Sequence, residues 1–87
     1  MSNINDNIHA FLSSCVRLTS LERSLQSMIE EKSMMITINK KDGIVVISID
    51  NKLEIYKIYP LIDVVVEYVY NMIDVEINNI SIERVEL

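Results

Sequence analysis

The sequence predicts an α+β domain in which a long amphipathic helix precedes a body of strands with a second helix. Three observations favour this class. Apolar residues recur every three or four positions at the start, alternate with polar residues from Met34, and return to a helical spacing after Pro60. The predicted order is α-β-β-β-α-β, with the first three strands in an antiparallel meander. We expect one domain, residues 1–87, made of a helix at 5–32 and a β-β-β-α-β body at 34–87.

The first predicted helix carries an uninterrupted apolar stripe opposite a serine-rich polar stripe. Asn5 or Asn3 can cap its start, and Thr19 with Glu22 forms a possible capping box, which leaves a break near Leu18 open. Because 49% of the residues are hydrophobic, self-association through this helix is expected. The predicted association surface consists of Phe11, Cys15, Leu18, Leu21, Leu25 and Met28.

Residues 34–58 are predicted to form three strands. Asp42 and Gly43 lie between two alternating apolar segments, which is a strong hairpin signal. A loop of two or four residues keeps the apolar side chains of both strands on one face, whereas a loop of three would separate them. The third predicted strand covers residues 53–58, after a three-residue loop at 50–52.

The second helix is predicted at residues 60–74, because Pro60 suits a first helical turn and polar residues then recur at helical spacing. Three consecutive valines favour a strand instead, so that alternative stays open. The segment 75–87 alternates again. Asn78 and Asn79 form a possible tight turn that would split this last strand.

The charge is unevenly distributed along the chain. The net charge is −5, and the eight acidic residues from Asp50 onward outnumber the three basic ones by that same amount. Such an acidic half repels phosphate backbones, so direct nucleic-acid binding is not expected. A protein partner with a basic surface fits better. The predicted partner-binding residues are Asp63, Glu67, Tyr70, Asp74 and Glu76.

No catalytic, metal or cofactor site is predicted. His9 is the only histidine, and helical geometry is expected to point it away from Ser13 and Cys15. Cys15 lies on the apolar stripe as a small hydrophobe. Asp63 and Glu67 share a helical face without a third ligand, which is typical of a solvated stripe. We expect a binding protein and not an enzyme.

The chain is short and acidic, has Asn-Ile-Asn-Asp at residues 3–6, a hairpin signal centred on Asp42 and Gly43, and an acidic C-terminal half. In these features it resembles the small phage-encoded anti-CRISPR proteins. The resemblance implies a phage protein that inhibits a host defence complex by presenting an acidic surface to a basic groove. The apolar content and the long predicted helix depart from that family.

Two other interpretations remain open. The predicted order of elements and the acidic bias also resemble secretion chaperones, although their glycine-containing strand motifs are missing, and a structural subunit of a larger assembly is a further alternative. No apolar run approaches the roughly 18 residues of a membrane span. We expect no membrane contact and a cytoplasmic protein, in the host cell cytoplasm if phage-encoded, that forms a homodimer or higher homo-oligomer.

Overall fold

The computed structural model describes residues 2–87 as a four-stranded sheet with three α-helices against one face. A 3₁₀ turn at Ile55–Lys57 precedes the last helix, and a π-helical segment at Val69–Ile73 extends it. The elements in chain order are β1 (Ser2–Asn3), α1 (Asn5–Ser14), α2 (Ser20–Glu30), β2 (Met34–Asn39), β3 (Ile44–Asp50), α3 (Tyr59–Tyr68) and β4 (Asn79–Val85). The predicted α+β class is confirmed.

The sheet has the spatial order β1-β2-β3-β4, with antiparallel pairing up to β3 and parallel pairing between β3 and β4. Parallel neighbours need a crossover connection, and α3 provides it. The predicted three-stranded meander is therefore wrong. Residues 53–58 contain the 3₁₀ turn and no strand. Lys52 N–H donates to Asp50 Oδ1, and Leu53 N–H donates to the Asp50 carbonyl, so the chain turns away from β3.

The β2–β3 hairpin follows the prediction. Residues 40–43 form a four-residue loop, and Ile36 pairs with Ile47 on the face covered by the helices. Gly43 has φ +66°, the left-handed conformation that a residue without Cβ adopts at little cost. The Asn39 side chain orders this turn by accepting hydrogen bonds from Lys41 N–H at 3.1 Å and Asp42 N–H at 3.3 Å.

The single long helix predicted at residues 5–32 is wrong. The chain leaves helical geometry between α1 and α2, because Thr19 and Glu22 form the full capping box. The Glu22 N–H donates to Thr19 Oγ1 at 3.2 Å, and the Thr19 N–H donates to Glu22 Oε1 at 3.0 Å. These bonds start a new helix in place of continuing the old one. The break falls within residues 15–19, near the Leu18 position left open above.

The predicted tight turn at Asn78 and Asn79 is also absent from the described chain. Residues 74–78 form a loop, and β4 is one unbroken strand. The N–H groups of both asparagines donate to the Gly43 carbonyl, at 2.8 and 3.3 Å. These hydrogen bonds thus join the hairpin turn to the segment that leads into β4.

The core lies between the sheet and the helices. Side chains of β2 and β3 that face the helices are almost fully buried, whereas those on the opposite face are mostly half-exposed. Burial of this apolar set is the main favourable contribution to folding. The largest fully buried side chains are Ile8, Leu12, Leu25, Met34, Ile36, Ile38, Val45, Ile47, Ile49, Ile58, Leu61 and Val65.

The helix at Tyr59–Tyr68 confirms the predicted helix in the valine-rich segment, with Pro60 in its first turn. Leu61 and Val65 point into the core, whereas Asp63 and Glu67 stay exposed. After Tyr68 the helix widens into the π-helical segment, which ends at Asp74 in a left-handed conformation. Such segments are rare and occur frequently at functional sites.

Candidate functional site

A groove of about 440 Å³ runs along the surface where α3 and its π-helical extension meet α1 and α2. We call it the helical groove. Its lining combines apolar and aromatic side chains with two carboxylates, Glu22 and Glu67. Such a combination suits a ligand that has an apolar part and a polar or charged part. The lining residues are Phe11, Thr19, Glu22, Val64, Glu67, Tyr68, Asn71 and Met72.

The aromatic side of the helical groove is formed by Phe11 and Tyr68. Their ring centroids lie 5.3 Å apart with the planes inclined by 56°, a favourable tilted arrangement. Only 8% of Tyr68 is exposed, and burial raises the pKa of its phenol above the ordinary value of 10.0. This pair connects α1 to α3 and gives that side of the groove a fixed shape.

The raised pKa of Tyr68 predicts a loss of stability at alkaline pH. The unfolded chain releases this proton near pH 10.0, below the pH at which the folded chain does. The contribution of Tyr68 to the free energy of unfolding is therefore complete below pH 10 and is lost as the pH rises through the raised pKa. In urea titrations at pH 8–11.5, Tyr68→Phe should lose less stability above pH 10 than the wild type.

The matched control for that titration is Tyr56→Phe, since Tyr56 is 64% exposed and its replacement removes the same hydroxyl. Its stability should follow the wild-type pH profile. Equal alkaline slopes for the Tyr68→Phe variant and the wild type would contradict the desolvation of Tyr68.

Polar groups on the α2 side of the groove are already engaged within the chain. Thr19 and Glu22 bond to each other's backbone in the capping box, which fixes where the Glu22 carboxylate lies. Glu67, in contrast, forms no ion pair within 4.0 Å among the described residues. An exposed carboxylate without a basic neighbour is free to bind a basic group of a partner.

The predicted partner-binding residues lie on and after α3, and all five are exposed. Glu67 is in the helical groove. Tyr70, Asp74 and Glu76 line a second, more open depression, and Asn71 borders both. Asp63 lines neither of them. The structure thus brings four of the five residues to the C-terminal end of α3 and to the π-helical segment and loop that follow it.

The predicted self-association residues are mostly used for packing inside the chain. Leu25 is fully buried, and Phe11, Leu18 and Met28 pack partly buried against the core. Cys15 is half-buried and its thiol donates to the Phe11 carbonyl at 3.4 Å. Only Leu21, at 42% exposure, is largely open to solvent. Most of the apolar stripe therefore packs against the core of its own chain.

The expectation that His9 points away from Ser13 is wrong. His9 Nδ1 lies 3.4 Å from Ser13 Oγ, and His9 Nε2 lies 2.9 Å from Glu30 Oε1. Residues at i and i+4 lie about one turn apart on nearly the same face of a helix, so their side chains can meet. Gln26 Nε2 also donates to Ser13 Oγ at 3.1 Å. This polar chain connects α1 to α2 on their exposed side, and no residue of the helical groove belongs to it.

Several groove residues were not singled out from the sequence as binding residues. Val64, Asn71 and Met72 lie in a segment whose helical spacing was recognised, but their meeting with α1 and α2 depends on the helix break. The capping-box pattern at Thr19 was the one sequence signal for that break. The 53% exposure of Met72 has no signature in the sequence.

No helix within residues 2–87 has the length and apolar content needed to cross a membrane. In the same part of the chain, no three His, Cys, Asp or Glu side chains come close enough together to hold a metal ion.

Comparisons with protein-family models, with curated proteins and with solved structures give no match to the chain. The resemblance to anti-CRISPR proteins accordingly stays a prediction.

Proposed function

We propose that the protein is a non-catalytic binding protein that holds a partner protein in the helical groove. The partner segment would place an apolar side chain against Phe11, Tyr68 and Met72 and a Lys or Arg beside Glu67. The observation that supports this most directly is the groove itself, in which an unpaired carboxylate borders a half-exposed apolar lining. An apolar anchor surrounded by complementary charge is a common form of protein recognition.

The charge of the surrounding surface supports the same partner chemistry. Asp63, Asp74 and Glu76 are exposed near Glu67 in the chain, and none of them has an ion-pair partner among residues 2–87. Such a surface attracts a basic protein and repels a nucleic acid. In its most specific form, the partner is the basic nucleic-acid-binding surface of a host defence complex, as the resemblance to anti-CRISPR proteins implies.

A site-specific photocrosslinker tests the proposal. With p-benzoylphenylalanine at position 72, in extract from the source cells, we expect one discrete crosslinked protein. Adding Glu67→Lys should reduce that product severalfold, because the basic group of the partner would then face a like charge. Salt should weaken the crosslink in the same way, since exposed charges are screened over about 8 Å at physiological ionic strength.

Two controls distinguish binding in the helical groove from nonspecific crosslinking. The crosslinker at Tyr56, which is similarly exposed but lies outside the groove, should give no such product. Glu86→Lys makes the same charge change at an exposed residue outside the groove and should leave the crosslink at position 72 intact. Equal products from positions 72 and 56, or equal effects of the two charge changes, would reject the groove as the binding site.

A further inference from the structure

The outer edge of β4 has no strand beside it within the described chain. The sheet order leaves β1 and β4 at the two edges, but β1 has only two residues whereas β4 has seven. The strand β4 contains no Pro or Lys, and its charged residues are limited to Glu83 and Arg84, so the usual means of blocking an edge are few. Its free backbone groups can therefore pair with another strand.

The hydrogen bonds of β4 show which groups are free. The Asn79 N–H donates to the Gly43 carbonyl at 3.3 Å, and the Val85 carbonyl accepts from the Asn51 N–H at 3.0 Å. Alternate residues of a strand direct both backbone groups to the same neighbour, so the odd-numbered residues from 79 to 85 face β3. The outward N–H and C=O groups are those of Ile80, Ile82 and Arg84.

Apolar side chains along the same edge are incompletely covered. Ile80 and Ile82 lie beside Val45 and Ile47 on the helix-covered face of the sheet. Val45 and Ile47 are at most 1% exposed, whereas Ile80 and Ile82 are only half-buried. The core thus remains open to solvent at β4, and an added strand would cover it.

We infer that β4 pairs antiparallel with β4 of a second copy of this chain, which joins two sheets into one. A twofold axis through such a pair is perpendicular to the sheet, so each side chain meets a side chain on the same face of the copy. With Ile82 on the axis, Ile80 lies opposite the second copy's Arg84. In this register, every N–H and C=O group of Ile80, Ile82 and Arg84 forms a hydrogen bond with the second copy.

Charge and hydrogen bonding favour this register over the other pairings of two β4 strands. Glu83 meets the neutral Ser81 of the copy, so no like charges lie directly opposite each other. A register centred on Glu83 would place two carboxylates opposite each other and leave Ile80 unpaired. A register centred on Ser81 would need the Asn78 N–H, which already donates to the Gly43 carbonyl at 2.8 Å.

Analytical ultracentrifugation combined with amide hydrogen exchange tests this dimer. From low micromolar to millimolar concentration, the sedimentation of the chain should change from that of a monomer to that of a dimer. Over the same range the amides of Ile80 and Ile82 should become protected, while that of the half-exposed Met35 keeps a constant exchange rate. A monomer throughout would overturn the inference, as would a dimer in which the β4 amides stay unprotected.

Charges at Ser81 test the register. Ser81 is exposed and makes no side-chain hydrogen bond among the described residues, so replacing it should not disturb the monomer. Ser81→Glu places a carboxylate opposite Glu83 of the copy at two symmetric positions and should weaken the dimer roughly 2- to 30-fold. Ser81→Lys should strengthen it by a similar factor. Equal weakening by both variants would indicate an axis at Ser81 and overturn this register.

The matched controls are Ser24→Glu and Ser24→Lys, which change the same charges on the exposed surface of α2 and should not shift the dimer. A dimer that responds equally to charges at positions 24 and 81 would overturn pairing through β4. The groove experiment is independent of this one, because no β4 residue lines the helical groove. Failure of either proposal would leave the other standing.

Discussion

Replacing Gly43 with alanine is expected to lower the free energy of unfolding by roughly 2–5 kcal/mol, which is the sum of backbone strain and overpacking. Gly43 has φ +66°, where an L-residue with a Cβ is strained. The added Cβ would also overlap the Glu76 carbonyl oxygen and lie 2.9 Å from Asn78 Nδ2. The contacts at risk connect the hairpin turn to the segment before β4. Urea denaturation followed by circular dichroism measures the change.

Two further variants separate the causes of this effect. Gly43→Asn tolerates a left-handed backbone but still carries a Cβ, so it should recover only the strain part of the loss, about 1–2 kcal/mol, and keep the overpacking part. Lys40→Ala changes an exposed residue of the same loop and should stay within about 0.5 kcal/mol of the wild type. A Gly43→Asn variant as stable as the wild type would mean that the segment around Glu76 moves aside at no cost.

The second large effect is expected for Leu25→Ala, which should cost about 2–5 kcal/mol because it leaves a cavity in the core. Leu25 is fully buried between α2 and the sheet, whereas Leu21 on the same helix is 42% exposed. Leu21→Ala should therefore lower the free energy of unfolding by less than about 1 kcal/mol, since little apolar area is lost. Urea titration of both variants gives the comparison.

The stability and the solution mass of the Leu25→Ala variant together show whether the apolar stripe packs within one chain or between two copies. If Leu25 packs inside its own chain, the variant loses stability and the remaining folded protein keeps the wild-type association constant. If the stripe were instead an interface between copies, Leu25→Ala would weaken the oligomer and leave the monomer's melting unchanged. Sedimentation at matched concentrations distinguishes these results.

The local parts of the fold were predictable from sequence, because they depend on neighbouring residues. Asp42 and Gly43 between alternating segments specify a hairpin, and Pro60 marks the beginning of α3. The helix break was harder to predict. The apolar stripe in the sequence has the same spacing whether the segment forms one helix or two. Only the capping box at Thr19 distinguishes these two possibilities. Periodicity reports which face is apolar and not where the backbone turns.

The sheet order could not be read in the same way. Residues 53–58 and 79–85 both alternate, and both could lie beside β3. The choice depends on contacts distant in sequence, such as those of Asn78 with the hairpin turn. The helical groove follows from that choice, because α3 becomes a crossover above the sheet and thereby meets α1 and α2. The acidic residues around it were foreseen from composition, whereas its aromatic lining was not.

The double hydrogen bond at the Gly43 carbonyl has a consequence for the order of folding. The hairpin turn forms from neighbouring residues and can fold early, on the microsecond timescale of isolated hairpins. Pairing of β4 must wait for the closure of a much longer loop, which carries a larger entropy cost. Since the Gly43 carbonyl is oriented toward Asn78 and Asn79 only once the turn has formed, the early hairpin acts as a template that positions the last strand to be added.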